Sequence, residues 1–375
     1  MSYLMNTIDR REQIFLGGYG SWLWTADGKR YLDFHTDNGT ACLGYGSSQK
    51  DLFVSKLGRI PTHALNLYSF EERDKAAQGL CDATGMDKVF FCNSGAEAVE
   101  AALKLARKYQ DKRHGRFEIW SHRNGFHGRT YGSMAATDGP MYYREGFGPH
   151  LQGFHHFDKI EGIPDHAAMV LLSPINGFND VVLYPDGWLE ELREYTAKRE
   201  ILLCFDEVQT GSGRCGAWSY GRKIGVVPDI ACLAKGLAMG IPAGACLARA
   251  EVAAAFTPGT HYSTCGGNPF AMAGINAMLE WLTPARLEEI NHKGQYLRQK
   301  LEARSWAGDV RGEGLMIAFD ADLDARLFAT KAAERGLIIG AFRPSPIKLM
   351  PPLNVYLREL DTALEIMDAV YRGMR

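Results

Sequence analysis

The sequence lacks an excess of either charge: over 375 residues, 42 Lys and Arg stand against 44 Asp and Glu, a net charge of -2. That balance gives no electrostatic case for nucleic acid or an anionic membrane as a partner. Paired cysteines are also missing. The eight present, at 42, 81, 92, 204, 215, 232, 246 and 265, include no Cys-x-x-Cys and fall short of secreted-domain density. They read as reduced core or near-core residues of a cytoplasmic protein. No His-Glu-x-x-His occurs among the eleven histidines, and no metal site is expected. Residues 1–11 are polar and mixed, so no secretory leader is expected. One apolar run, Ile230 to Ala248, is long enough to raise a membrane-helix question. Lys235, Gly236, Gly240, Pro242 and Gly244 within it argue against one. There is no internal repeat and no low-complexity linker.

What is present alternates. Lys88–Cys92, Phe117–Ser121, Ala168–Leu172, Ile201–Phe205 and Ile230–Ala234 read as strands, and Ala96–Tyr109 as a helix. Buried apolar runs set between helices imply an α/β fold with a mainly parallel sheet. Trp22–Phe34, turning at Asp27-Gly28-Lys29, reads as a hairpin that joins a smaller domain or a partner subunit. Pro269–Leu282 and Leu287–Arg304 read as long helices. Short strands (Met316–Phe319, Leu337–Ile339, Ile347–Met350) and a last helix from Glu359 follow. The expected layout is an N-terminal segment (1–48) joining the small domain, a large domain (49–270) and a smaller α+β domain (271–375). A chain of this length buries a large core and divides into more than one domain.

The chemistry centres on Lys235, the only charged side chain between Asp229 and Arg249. Burial lowers an ammonium's pKa and favours the nucleophilic amine that a Schiff-base lysine needs. The plain alternative is a snorkelling surface lysine. Asp206 ends an apolar run 29 residues earlier, a spacing that fits one strand-to-strand crossover. In parallel sheets working residues gather beyond the strands' carboxyl ends. A carboxylate there can pair with the ring nitrogen of pyridoxal phosphate and keep it protonated; a helix cap or solvated loop is the alternative. Asn93-Ser94-Gly95 leads into a helix whose first N–H groups could hold a phosphate, although Ser94-x-x-Glu97 is also an ordinary capping box. Phe126, in a glycine-hinged turn, could lie flat against a heteroaromatic ring or pack as a core aromatic. Thr264, in a loop of small residues, could donate to a phosphate.

Taken in order, these segments resemble the class III aminotransferases, the fold-type I pyridoxal-phosphate group that includes ornithine, acetylornithine, 4-aminobutyrate and diaminobutyrate aminotransferases. The matching strings are Tyr31-Leu-Asp-Phe34, Asn93 to Ala98, Phe126-His-Gly-Arg-Thr130, Phe205-Asp-Glu-Val-Gln209 with Gly213-Arg214, Ala234-Lys-Gly236, Ser263 to Pro269 and Val310 to Leu315. They span nearly the whole chain. The resemblance implies that Lys235 carries the cofactor and shuttles the proton, that Asp206 pairs with the pyridinium, and that Val208 and Phe126 sandwich the ring. It further implies that Gln209 contacts the phenolic oxygen, and that Ser94, Gly95 and Ala96 hold the phosphate with Thr264 of a neighbouring subunit. That last role requires a homodimer. The implied reaction moves an amino group, terminal rather than α, from an amine to a carbonyl acceptor by a ping-pong mechanism. Racemase, decarboxylase or aminomutase chemistry on the same fold stays open, as does a non-catalytic scaffold.

Two departures bear on substrate. Relatives commonly carry Glu-Pro-Ile-Gln-Gly-Glu-Gly-Gly where this chain reads Ser173-Pro-Ile-Asn-Gly-Phe-Asn-Asp180. Phe178 therefore falls at a gating glutamate, and Lys348 falls near the arginine that pairs with it. Lysine lacks arginine's bidentate fork for a carboxylate. Phe178 either lines the pocket or packs away from it. Lys348 is either a pocket cation or a surface charge, with Arg343 as another candidate for carboxylate recognition. Tyr68 is a further candidate to face substrate.

Overall fold

The computed structural model describes residues 3–8, 11, 13–46, 51, 53–54, 61, 67–178, 180–341 and 346–375. Three strands open the chain: β1 (Phe15–Tyr19), β2 (Trp22–Thr25) and β3 (Arg30–Asp33). β2 and β3 pair antiparallel around the predicted turn, where Gly28 takes a positive φ of 79° and donates to Thr25 O. Helix α1 (Glu71–Thr84) leads to β4 (Lys88–Cys92), and α2 (Gly95–His114) follows at once. Then come β5 (Glu118–His122), β6 (Phe154–Phe157), β7 (Ala167–Leu172), α3 (Trp188–Lys198), β8 (Leu202–Asp206), β9 (Ile230–Leu233) and β10 (Gly244–Ala248).

Strands β4 to β10 form one seven-stranded sheet in the order β4-β10-β9-β8-β7-β5-β6. It is parallel from β9 through β6, and β10 runs antiparallel to both of its neighbours. Every residue of β7, β8, β9 and β10 is buried. This is the pattern of strands covered on both faces, which read as unbroken apolar runs. Helix α2 supplies one cover. Ala98, Val99, Ala101, Ala102, Leu105 and Ala106 pack onto Ile119, Met169, Leu171 and Cys204. Alanines on that face let the helix lie close to the sheet.

The C-terminal part holds α4 (Pro269–Trp281), α5 (Pro284–Glu302), β11 (Ala307–Glu313), β12 (Met316–Ala321), α6 (Ala325–Glu334), β13 (Leu337–Ile338), β14 (Gly340–Ala341), β15 (Ile347–Leu349) and α7 (Leu357–Met374). β13 pairs in parallel with β3, Leu337 opposite Leu32, so the N-terminal hairpin shares a sheet with the C-terminal part. β11, β12, β15 and β14 make a second small sheet.

The expected helices and strands recur with ends shifted by a few residues. The strands β1, β6, β10, β11 and β14 and the helices α1, α3 and α6 were not individually expected. One reading of the cysteines needs correction: six are buried and Cys81 is partly so, but Cys265 is exposed, lying with Tyr262 and Thr264 on the outer side of its loop in a single chain. Among the described residues no helix is long and apolar enough to cross a membrane, and no group of three or more His, Cys, Asp or Glu side chains is placed to hold a metal.

Candidate active site

The carboxyl ends of β4, β8 and β9 open onto one cavity of about 580 Å³. Asp206 is the last residue of β8, and Lys235 follows β9 by two residues. Both line this cavity, together with Ser94, Gly95, Ala96, Phe126, Phe178, Val208 and Gln209. Residues up to 141 positions apart in the chain are thus gathered by strand order alone.

Asp206 and Glu207 share a strand end and part company there. Glu207 turns into the protein, takes the Ser219 hydroxyl (2.6 Å) and accepts from the backbone N–H groups of Tyr220 and Gly221. Its burial raises its pKa against these hydrogen bonds. It is the structural carboxylate of the pair. Asp206 faces the cavity, 5% exposed. Its Oδ1 accepts from Val208 N (3.1 Å), and its Oδ2 is 2.8 Å from His127 Nδ1. His127 was not singled out from the sequence. Its partner lies 79 residues away, and the one available hint was its place beside Phe126. Backbone N–H donation to Thr137 Oγ1 (2.9 Å) fixes its position. Its Nε2 is buried with no hydrogen-bond partner among the described residues.

Lys235 sits in left-handed backbone, φ 49°, a conformation that costs a non-glycine residue about 1 kcal/mol or more. Desolvation lowers its pKa below 10.5, while Asp206 and Asp37 push the other way. Burial wins, because the carboxylates are not in direct ion pairs with it. The wall opposite is strained as well. Thr36, Asp37 and Asn38 all have φ between 46° and 55°. Asp33 Oδ1 holds this turn by accepting from His35 N and Thr36 N, and Thr36 donates its hydroxyl to Met350 O. Asn38 and Thr40 reach the cavity as a result.

The start of α2 forms the floor. Ser94 is the N-cap, accepting from Glu97 N at 3.2 Å. Glu97 reaches back past Ser94 to Asn93 N (3.0 Å). The capping box and the anion-site reading are therefore compatible: the cap uses Glu97 N, and the first helical N–H groups point out of the helix toward the cavity. Gly95 is required there, since a Cβ would lie 2.8 Å from Val208 Cγ1.

The aromatic side is continuous. Phe126 stacks on Phe178 (4.7 Å, 16°), and Tyr143 meets both rings edge-on. The Arg129 guanidinium lies 3.4 Å over the Tyr143 ring and also lines the cavity. The surface alternative for Lys348 is excluded: it is 2% exposed and donates to Gly177 O (2.5 Å) and Gln209 Oε1 (2.9 Å). It stands behind Gln209 rather than on the lining. Tyr68 and Thr264 are exposed and lie outside the cavity of a single chain. Arg343 falls outside the described residues.

These residues fit pyridoxal phosphate as a group. There is a helix N-terminus with a glycine cradle for its phosphate, an anchored carboxylate for its nitrogen, two apolar side chains for its faces and a lysine with a depressed pKa for its aldehyde. The unpartnered His127 Nε2 behind the carboxylate is consistent with a polar network built around a further group.

Known proteins agree. The family model for class III aminotransferases matches residues 11–371. The acetylornithine aminotransferase of Caldanaerobacter subterraneus subsp. tengcongensis is 38% identical, covering all of this chain and 98% of its own. That of Aquifex aeolicus is 36% identical over 98% of this chain and 99% of its own. Among solved structures, ornithine aminotransferase from Toxoplasma gondii ME49 superposes with a TM-score of 0.92 at 26% identity, covering 99% of this chain and 94% of that one. A PLP-bound amine transaminase from an uncultivated Pseudomonas species superposes with a TM-score of 0.90 at 25% identity, covering 100% and 99%. Agreement of this extent, end to end and in both sequence and fold, means that the chain belongs to the class III aminotransferases and is a pyridoxal-phosphate-dependent aminotransferase.

Proposed function

We propose that this enzyme removes the terminal amino group of an acylated diamino acid and passes it to a 2-oxo acid, working in the cytoplasm as a homodimer. The observation that carries the assignment is the convergence of Lys235, Asp206 and the α2 N-terminus on one cavity that Arg129 also lines. Arg129 gives a carboxylate-bearing substrate a cation at a distance from the reacting lysine. The relatives at 36–38% identity described above are acetylornithine aminotransferases, which supports N-acetylornithine as the first donor to try.

When bound, pyridoxal phosphate supplies a sink for the electron pair released at the substrate carbon. The chain's residues do the rest. Lys235 Nζ takes the proton from the carbon that bears the amine and later returns one, acting as base and then acid. Asp206 holds a proton at the cofactor's ring nitrogen, and His127 and Val208 N keep its oxygens aimed. Ser94, Gly95 and Ala96 hold the phosphate, joined by Thr264 from a partner subunit. Phe126 and Val208 flank the ring. Phe178 adds apolar surface where the donor's carbon chain passes, which suits an acyl group.

The test mixes holoenzyme with N-acetylornithine, ornithine, 4-aminobutyrate, an α-amino acid and an arylalkylamine. It follows loss of the cofactor's aldehyde absorbance together with stoichiometric carbonyl product. N-Acetylornithine should react fastest. Reaction confined to α-amines would refute the terminal-amine assignment, and epimerisation without carbonyl product would refute transamination.

A further inference from the structure

Gln209 sits where three segments meet. It follows β8, its Oε1 faces Lys348 on β15, and its Nε2 makes two long contacts, 3.5 Å to Asn38 O on the cavity wall and 3.7 Å to Met350 Sδ, a weak acceptor that an anionic oxygen would displace. Lys348 also donates to Gly177 O, in the stretch after β7. A Cβ on Gly177 would come 2.1 Å from Gln209 Oε1 and 2.6 Å from Met316 Cε, so nothing larger than glycine leaves room for the contact. One buried amine thus ties the small sheet to two loops at the carboxyl edge of the large sheet.

An amine donating to a primary amide chooses between its ends: hydrogen meets oxygen, and the amide NH2 is left for the other side. Donation to Gln209 Oε1 needs one hydrogen, which a neutral amine and an ammonium both carry, so the orientation holds in either protonation state. We propose that Lys348 is a positioning residue. It fixes the Gln209 amide with its NH2 toward the cavity, where it donates to the anionic phenolic oxygen of the cofactor, and it is not itself a receptor for a substrate carboxylate. The proposal rests on the cofactor placement given above.

Burial supports the second half. Desolvation, then the charges of Lys235 and Arg214, lower the Lys348 pKa well below 10.5, with Cys215 opposing. Burial lowers the His35 pKa, Asp33 and Asp37 oppose it, and the charge of Lys348 adds to the lowering. A carboxylate reaching Lys348 would have to displace Gln209 first.

The experiment uses reconstituted holoenzyme and reads the pH at which the long-wavelength band of the lysine-bound cofactor is lost. A donor at the phenolic oxygen stabilises negative charge and lowers the neighbouring nitrogen's proton affinity. Lys348→Met should therefore raise this midpoint by about one unit, a tenfold change in proton affinity. In a Gln209→Leu background the same change should add little, because the two act as one unit. An equal shift in both backgrounds would show that Lys348 acts by its own charge, and an unmoved midpoint would show no role; either overturns the proposal. So would an unshifted band accompanied by a tenfold higher KM for a dicarboxylic than for a monocarboxylic 2-oxo acid, the signature of a carboxylate receptor. If Lys348→Met does not accumulate, Gln209→Glu asks the same question, since a carboxylate pairs with Lys348 and cannot donate to the cavity. It too should raise the midpoint, and an unchanged value overturns the proposal. Wild-type protein that binds no cofactor overturns the reading beneath it and the proposal with it.

Discussion

Lys235 combines two unfavourable features at one position, a left-handed backbone and an amine withdrawn from water. The protonated amine gains less from its surroundings than it would in solvent, so it gives up its proton at a lower pH than a free lysine. Asp206 and Asp37 limit that shift without reversing it. The rate at which apoenzyme captures pyridoxal phosphate should then rise with pH and level off below 10.5, the ordinary lysine value. Asp206→Asn removes the larger opposing charge and should move the levelling point lower still. Stopped-flow absorbance across pH measures both. A plateau that appears only at the ordinary lysine value, or that moves upward in Asp206→Asn, would contradict this account. Lys235→Ala should still bind the cofactor weakly and lose about 10²- to 10⁴-fold in turnover, the range for removal of a general base.

At the scale of elements, the start of α2 is set by a steric fit that can be undone and restored. Gly95→Ala places a methyl group 2.8 Å from Val208 and should push the helix N-terminus off the phosphate, weakening cofactor binding by tenfold or more. Gly95→Ala with Val208→Ala reopens the space and should recover most of the loss in a cofactor titration. If the double variant binds no better than the single one, the close approach is not what Gly95 is for. This cradle was legible in the sequence because a strand, a cap and a glycine sit side by side within ten residues. The strands β7, β8 and β9 were legible for a related reason: burial on both faces demands unbroken apolar runs. β10 was not: Gly240 and Pro242 mark a break, but Gly244-Ala-Cys-Leu-Ala248 continues the apolar stretch that holds Lys235, and nothing local says that the chain returns antiparallel. The left-handed turn at 36–38 was equally hidden. Its residues carry no glycine signature until Gly39, and it is imposed by Asp33 and by Met350, 314 positions from Thr36. The contacts of His127 and Lys348 depend on pairings across the fold, which no spacing in the chain encodes.

For the whole molecule, the question is what covers the mouth of the site. Met141, Tyr142 and Tyr262 are each at least 60% exposed in one chain. Tyr142 packs on Tyr143, the ring beneath Arg129, so this apolar surface adjoins the cavity. A monomer seldom leaves apolar side chains such as Met141 and Tyr142 uncovered beside a binding site. Thr264 is exposed as well, although the family resemblance implies that it contacts a phosphate. On the homodimer proposed above, a second copy related by a two-fold axis would account for both observations, since it would cover this surface and bring the partner's threonine to this cavity. Sedimentation should give twice the mass of one chain, and cofactor affinity should fall when holoenzyme is diluted below its dimerisation constant. Thr264→Ala should weaken cofactor binding by about tenfold to a hundredfold, one hydrogen bond to a charged group, while leaving the dimer intact. The two readouts separate the roles: a variant that sediments normally but holds cofactor poorly places Thr264 at the phosphate. A monomer that retains full cofactor affinity at high dilution would show that each chain completes its own site, and the subunit-spanning arrangement would have to be given up.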